Sequence, residues 1–342
     1  MFGMGVLGAN LLRGGGGAIA NAATLSPNYK HDDLILSNGN LTATHSATNN
    51  QYEHCGTIHA DPTAKLYCEV TIDNVGTGTA DTGVAVGNYL APVGGTFLGS
   101  VGDHSVLYHR DGRIIKGSGA IASGAAYTTG DVIGVRVDGP AGAVAFRKNG
   151  GAWTADQTVS GPLILMLQTY STGAQMTVNF GATAFTQESP SGFTAWPIRT
   201  RDHRYWRHHA IANNNAQSVV AEVELRLTAG GGDQTGSGTA SSLSSFASPT
   251  YDADKAFDND TGTIAHSANN AGANWWLQYD FGSGVTKEIT EVVMTARSDN
   301  LNYPTDFRFV DSDDGTTFFP LLAKYAQTWS LGETKTFAGL GE

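Results

Sequence analysis

Residues 130–150 read GDVIGVRVDGPAGAVAFRKNG, and the fold of the N-terminal half turns on them. Val132, Ile133, Val135 and Val137 form a β-rich apolar run. Gly139-Pro140-Ala141-Gly142 punctuates it, and Ala143 to Arg147 alternates again, with Val144 and Phe146 on one side. Asn149-Gly150 is the pair a type I′ turn asks for, because both central residues must take positive φ. Three antiparallel strands in succession are expected. By pattern alone they are those of any β-meander.

The same grammar holds along the 342 residues. Short apolar runs lie between Gly, Asn, Asp and Ser clusters, 44 residues are glycine, only 15% are charged, and no long stretch has helical periodicity. An all-β chain of two ordinary domains is expected. The formal charge of −11 argues against a phosphate-backbone partner. The one basic cluster, Arg199, Arg201, Arg204 and Arg207 with His203, His208 and His209, reads as a solvated or interface-filling junction between domains. No nucleic acid and no membrane insertion are expected, since no run approaches the ~18 apolar residues of a span. Residues 1–30 are a Gly/Ala-rich leader in which Val6, Leu7, Leu11, Leu12 and Ile19 are too sparse for a core; they suit a disordered terminus or an arm that packs only in an assembly. Cys55 and Cys68 flank the Asp61-Pro62 turn signal, so paired strands would bring them within bonding reach; two buried free thiols are favoured.

The order GDVIGV…D…G.V.F.KNG resembles the signature of SPRY domains, a β-sandwich recognition fold. Lys65-Leu66-Tyr67-Cys68-Glu69-Val70, Gly83-Val84-Ala85-Val86-Gly87, Val178-Asn179-Phe180-Gly181 and Pro190-Ser191-Gly192-Phe193 resemble further family segments in the right order. The resemblance spans about residues 31–197, closing near Trp196-Pro197.

From residue 198 a second domain is expected. Val219 to Leu227 alternates like a half-buried strand, and residues 230–248 read as a long Gly/Ser-rich loop. Trp275, Leu277, Tyr279 and Phe281 share one face of a heavy aromatic strand. Ala256-Phe257-Asp258-Asn259-Asp260-Thr261-Gly262-Thr263, then WWLQYDFG at 275–282 and SDDGTTF at 312–318, resemble the discoidin or coagulation-factor C-type domain, a galactose-binding-like jelly roll. The resemblance implies a structural Ca²⁺ on Asp258, Asp260 and Thr263, completed by Glu333; hard oxygen donors suit that ion. It also implies a carbohydrate site at His266, Arg297 and Asn302. Trp329 is the aromatic best placed for a sugar to stack on. Ala265 stands where the family usually has a Trp, which puts the rotamer of His266 in doubt.

No G-x-S-x-G, P-loop, H-E-x-x-H or C-x-x-C pattern is present, so the chain is not expected to be an enzyme. Asp311, Asp313 and Asp314 read as a hairpin turn. Two recognition sandwiches in tandem behind a Gly-rich leader, without a signal peptide, resemble phage virion proteins of the tail fibre or baseplate. The expected partners are other virion proteins, further copies in a symmetric homo-oligomer, and a host surface glycan. A head decoration or scaffold subunit with structural contacts only, or an intracellular SPRY-type adaptor, are the alternatives.

Overall fold

In the computed structural model the described residues are 22–48, 51–57, 63–77, 82–198, 201–269 and 274–340. The opening stretch folds as a hairpin. Val132–Asp138 pairs antiparallel with Ala143–Lys148, Val135 facing Phe146. Asn149 and Gly150 take φ of 48° and 71°, and Gly151 N–H donates to Lys148 O at 2.8 Å, a type I′ turn. The third strand is shorter than expected. Thr154 binds Phe146 through its backbone N–H and its Oγ1, and regular pairing resumes only at Gln157–Thr158.

This hairpin lies in an eight-stranded sheet centred on Lys65–Asn74. A second sheet faces it, with Glu53–Thr57, Ile164–Thr169, Gly83–Gly87 and Ser105–His109 as neighbours. Val70, Ile133, Val135 and Phe146 from one sheet meet Val84, Val106, Leu165 and Leu167 from the other in a fully buried core. Cys55 and Cys68 are free and buried in this core. They lie on strands of opposite sheets, not on paired strands; the Asp61-Pro62 turn expected between them lies outside the described residues. The buried carboxylate of Glu69 clips the loop at 186–187, accepting from the N–H and Oγ1 of Thr186 and the N–H of Gln187 at 2.7–2.8 Å.

The second sandwich sets Thr239–Ser242, Trp276–Asp280, Tyr205–Asn213, Pro304–Ser312 and Phe319–Lys324 against Glu222–Arg226, Glu291–Thr295 and Thr334–Ala338. Trp275, Leu277, Tyr279 and Phe281 do share the inner face, packed with Phe307, Phe309, Val292 and Phe337. Two expectations shift. The Val219–Leu227 strand breaks at Ala221, which directs both Val220 and Glu222 inward. The Gly/Ser-rich loop contains the strand Thr239–Ser242, hydrogen-bonded to Trp276–Asp280. All-β architecture in two sandwiches is therefore observed, its only helix among the described residues being a single 3₁₀ turn at Ala253–Ala256.

The leader expected over 1–30 enters the sandwich at its end. Leu25–Lys30 is a strand that pairs antiparallel with Glu53–Thr57 on one edge and parallel with Phe319–Lys324 on the other, Tyr29 facing Ala323. One sheet thus runs from the first sandwich into the second. Val6, Leu7, Leu11, Leu12 and Ile19, like Arg199 of the basic cluster, lie outside the described residues. The rest of that cluster divides: His209 lies 5.7 Å from the Tyr89 ring of the first sandwich, whereas the buried His208 packs on Phe307 and Phe309 of the second core and His203 bonds Asp313.

Candidate functional site

Two adjoining features of the second sandwich hold the residues singled out above. The first is the loop after the 3₁₀ turn. Thr263 Oγ1 lies 2.9 and 3.0 Å from the two carboxylate oxygens of Asp258, 3.0 Å from Asp260 O and 3.1 Å from Lys255 O. Asn259 supports the tight wrap with φ of 59°. The Asp258 carboxylate and the backbone carbonyls of Asp260 and Lys255 therefore gather around the Thr263 hydroxyl. Such a hard, mostly oxygen donor set fits Ca²⁺. Asp258 and Thr263 would hold the ion with their side chains; Asp260 contributes its carbonyl, while its carboxylate accepts from Gly262 N–H.

Glu333 is not brought to this loop. Its carboxylate accepts from Ser330 N–H at 2.7 Å and lies 3.9 Å from Lys335 Nζ, so it closes its own turn. The buried acid near the loop is Glu222. One of its oxygens has no hydrogen-bond partner among the described residues, and its pKa is pushed up to about 7, by burial first and then by Asp258, Asp233 and Glu224. Sequence reading missed it because alternation places Glu222 on the solvent face; the break at Ala221 turns it in.

The second feature is the rim around His266. The short strand Ala265–His266 pairs with Val219–Val220. His266 Nδ1 lies 2.6 Å from Ser267 O, a group that only accepts, so Nδ1 carries the proton and Nε2 keeps its lone pair. Burial, with the Arg297 charge acting in the same direction, holds the imidazole below its ordinary pKa. It is neutral at physiological pH, the form that accepts from a hydroxyl. The support expected from a Trp at 265 comes instead from Phe246 and Tyr251, whose rings lie 4.9 and 5.7 Å from His266. Backbone bonds from Phe246 N to His266 O and from His266 N to Tyr251 O lock that loop onto the strand.

Arg297 donates through Nε to Asp299 at 2.6 Å, which leaves the Nη edge of its fork for a ligand. Asn302 is buried and belongs to a chain of amides: its Oδ1 accepts from Asn215, its Nδ2 donates to Gln217, and Gln217 donates to Asn269. The exposed ends, Asn215 and Asn269, are the members that solvent meets. Trp329 is not a stacking platform. It is 6% exposed, its Nε1 donates to Pro304 O, and Phe307 and Phe337 share its core. The exposed ring at this rim is Phe246, at 46%. A lone Phe in a Gly/Ser-rich stretch carries no sequence signal; only the fold sets it beside His266.

These observations define a chain of two β-sandwich modules, the second a discoidin-type jelly roll. Residues 237–338 match the F5/8 type C domain family, whose members are binding modules for proteins or glycans. The strands Tyr205–Asn213 and Glu222–Arg226, ahead of that match, complete the same sandwich. Among solved structures, the N-terminal part is similar to SPRY domains. A human SPRY domain is 18% identical, covering 43% of this chain and 95% of its own, with a TM-score of 0.37. The SPRY domain of human HERC1 is 18% identical over 45% of this chain and 96% of its own, TM-score 0.39. Stonustoxin is 17% identical over 46% of this chain and 27% of its own, TM-score 0.36. No curated protein sequence matches the chain.

Proposed function

We propose that the protein is a surface-recognition component of a bacteriophage virion, in the tail, and binds a host glycan at the rim of its second sandwich. The observation that carries the reading is Phe246, an exposed ring packed on a neutral His266. A sugar needs an apolar face for its C–H surface and fixed donors and acceptors for its hydroxyls. Phe246 offers the first; Nε2 of His266, the Arg297 fork and the outer amides of the Asn215–Asn269 chain offer the second. An open rim of this kind gives weak monovalent affinity, of order mM to ~0.1 mM. Repeated display with other virion proteins on a symmetric particle makes such affinity useful. The virion setting rests on the tandem recognition modules behind a Gly-rich leader. A Ca²⁺ in the Asp258–Thr263 loop would hold the base of the rim.

The test is glycan-array binding by the full chain, wild type against Arg297→Ala and Phe246→Ala. The full chain is needed because the second sandwich shares a sheet with the first. Binding to galactose-type or bacterial-surface glycans that both variants lose is expected. No binding at millimolar glycan overturns the sugar site, and antibody labelling that finds the protein absent from purified particles overturns the virion setting.

A further inference from the structure

Beside the junction strand, three segments of the first sandwich bring their ionisable side chains together. His31 follows Leu25–Lys30, Asp33 precedes Leu34–Ser37, and Glu53 opens Glu53–Thr57. Ligand atoms of the three lie within 4.8 Å of one another. His31 Nδ1 is 3.9 Å from Asp33 Oδ2 and 3.9 Å from Glu53 Oε1. His45 Nδ1 reaches Glu53 Oε2 at 3.2 Å from the far side. Glu53 is fully buried, and neither of its carboxylate oxygens has a hydrogen-bond partner among the described residues.

From this geometry we infer that His31, Asp33 and Glu53 form a binding site for a divalent transition-metal ion, with zinc the best fit. A buried carboxylate without hydrogen bonds is costly in a folded protein unless a cation or donor meets it. Two imidazoles and a second carboxylate lie against Glu53, and the Lys30 charge also acts on it, its Nζ donating to the carbonyls of His31 and Asp32.

The details suit a ligand set. His31 Nδ1 accepts from Asp33 N–H at 3.2 Å, so this nitrogen is unprotonated, and a bound ion would take over the lone pair that now meets that N–H. The ring is held in place: a Cβ on Gly94 would stand 2.3 Å from His31 Cδ2, and Tyr325 of the second sandwich packs 5.5 Å away. Separations of 3.9 Å between donors are close to those spanned by an ion with bonds of about 2.0–2.2 Å. One imidazole and two carboxylates favour zinc or a neighbouring first-row ion over calcium or magnesium, which take oxygen alone. The Asp33 side chain is 41% exposed, so water reaches the fourth position and the ion has a way in. His45 backs Glu53 from outside the ligand set and also meets Thr169 Oγ1 at 3.1 Å, an orienting contact of the kind metal carboxylates have.

The experiment is a zinc titration of the full chain by calorimetry, after chelator treatment and with calcium in excess. Cobalt(II) absorption in the visible reads the same site by a second route. One equivalent of zinc with micromolar or tighter affinity is expected. Asp33→Asn and His31→Gln, at half-buried positions, should each weaken it by more than about tenfold, while Asp258→Ala leaves it unchanged. No zinc binding by the wild type, or binding equal in wild type and both variants, overturns the site.

Discussion

Arg308 of the second sandwich donates through Nη2 to the carbonyl oxygen of Ala91 in the first, 3.2 Å away. The side chain is almost wholly buried, Nη1 donates to Phe307 O at 3.0 Å and to Lys324 O at 3.4 Å, and the guanidinium lies 5.7 Å from the Tyr29 ring. Tyr29 in turn donates to Tyr89 O at 3.2 Å. A cation with several carbonyl partners thus pins the seam where one sheet crosses between modules. Arg308→Leu strips donors from carbonyls that stay buried and should cost ~2–4 kcal/mol. Urea unfolding is the measurement; an unchanged midpoint counts against the pin.

Phe246 at the rim and Trp329 in the core should part company on mutation. Trp329→Ala opens the second core and should cost ~3–5 kcal/mol of stability. Phe246→Ala removes a half-exposed ring and should cost less than ~1 kcal/mol while abolishing glycan binding. Paired denaturation and array measurements check both, and an unstable Phe246→Ala protein would show the ring to be structural only.

Chelation should lower the melting temperature of the wild type. At calcium a hundredfold above Kd the loop gains about 2.7 kcal/mol, a shift of a few degrees for a domain of this size. Asp258→Ala and Thr263→Val should abolish the calcium dependence. Glu333→Gln should preserve it, because that carboxylate closes the 330–333 turn. Calcium dependence lost in Glu333→Gln would reinstate it as a ligand.

Acid should weaken the second sandwich and its junction through two histidines. Burial lowers His208 to about 3, with the His209 charge acting in the same direction; burial lowers His209 to about 4, helped by Arg207 and Arg308. Both are neutral when folded and take up protons near pH 6.5 when unfolded. Their stability is therefore complete above about pH 6.5 and is lost as pH falls toward their folded values, at about 1 kcal/mol per pH unit for each. Neither ring nitrogen of His208 has a hydrogen-bond partner among the described residues, and Phe307 and Phe309 flank it at 5.4 Å, so His208→Leu should flatten the acid limb. A pH–stability curve unchanged by that substitution would refute this.

Cys55 and Cys68 should react with a thiol reagent only on unfolding. Burial pushes Cys55 up to about 12 and Cys68 well above its ordinary value, so neither offers thiolate to the solvent. Labelling of the native protein at the unfolding rate, two thiols per chain, is the expected result. Rapid native labelling would contradict the burial.

Much of the fold was legible because it is written in local signals. Asn149-Gly150 demanded positive φ, and the Trp275 to Phe281 alternation demanded one buried face. The site was less legible where long-range pairing decides it. Asp258, Asp260 and Thr263 lie within six residues and their wrap is local. Trp329 reads as a surface aromatic until Phe307 and Phe337 are seen to enclose it. Glu222 obeys the alternation until Ala221 breaks it, and Phe246 gains meaning only from a strand 20 residues away. His31, Asp33 and Glu53 have no spacing that marks a ligand set, because the two strands and the turn that assemble them are brought together by the sheet.

The strand Leu25–Lys30 is hydrogen-bonded to both modules at once. Two modules joined by a flexible tether lose orientational freedom each time a ligand is gripped, and the tether's length sets how strongly one contact favours the next. Here the rim carrying Phe246 stands at an orientation fixed by the first sandwich. Were the first module seated in the larger array proposed above, that seating would also aim the second, and neighbouring copies would present their rims at a set spacing before any ligand arrived.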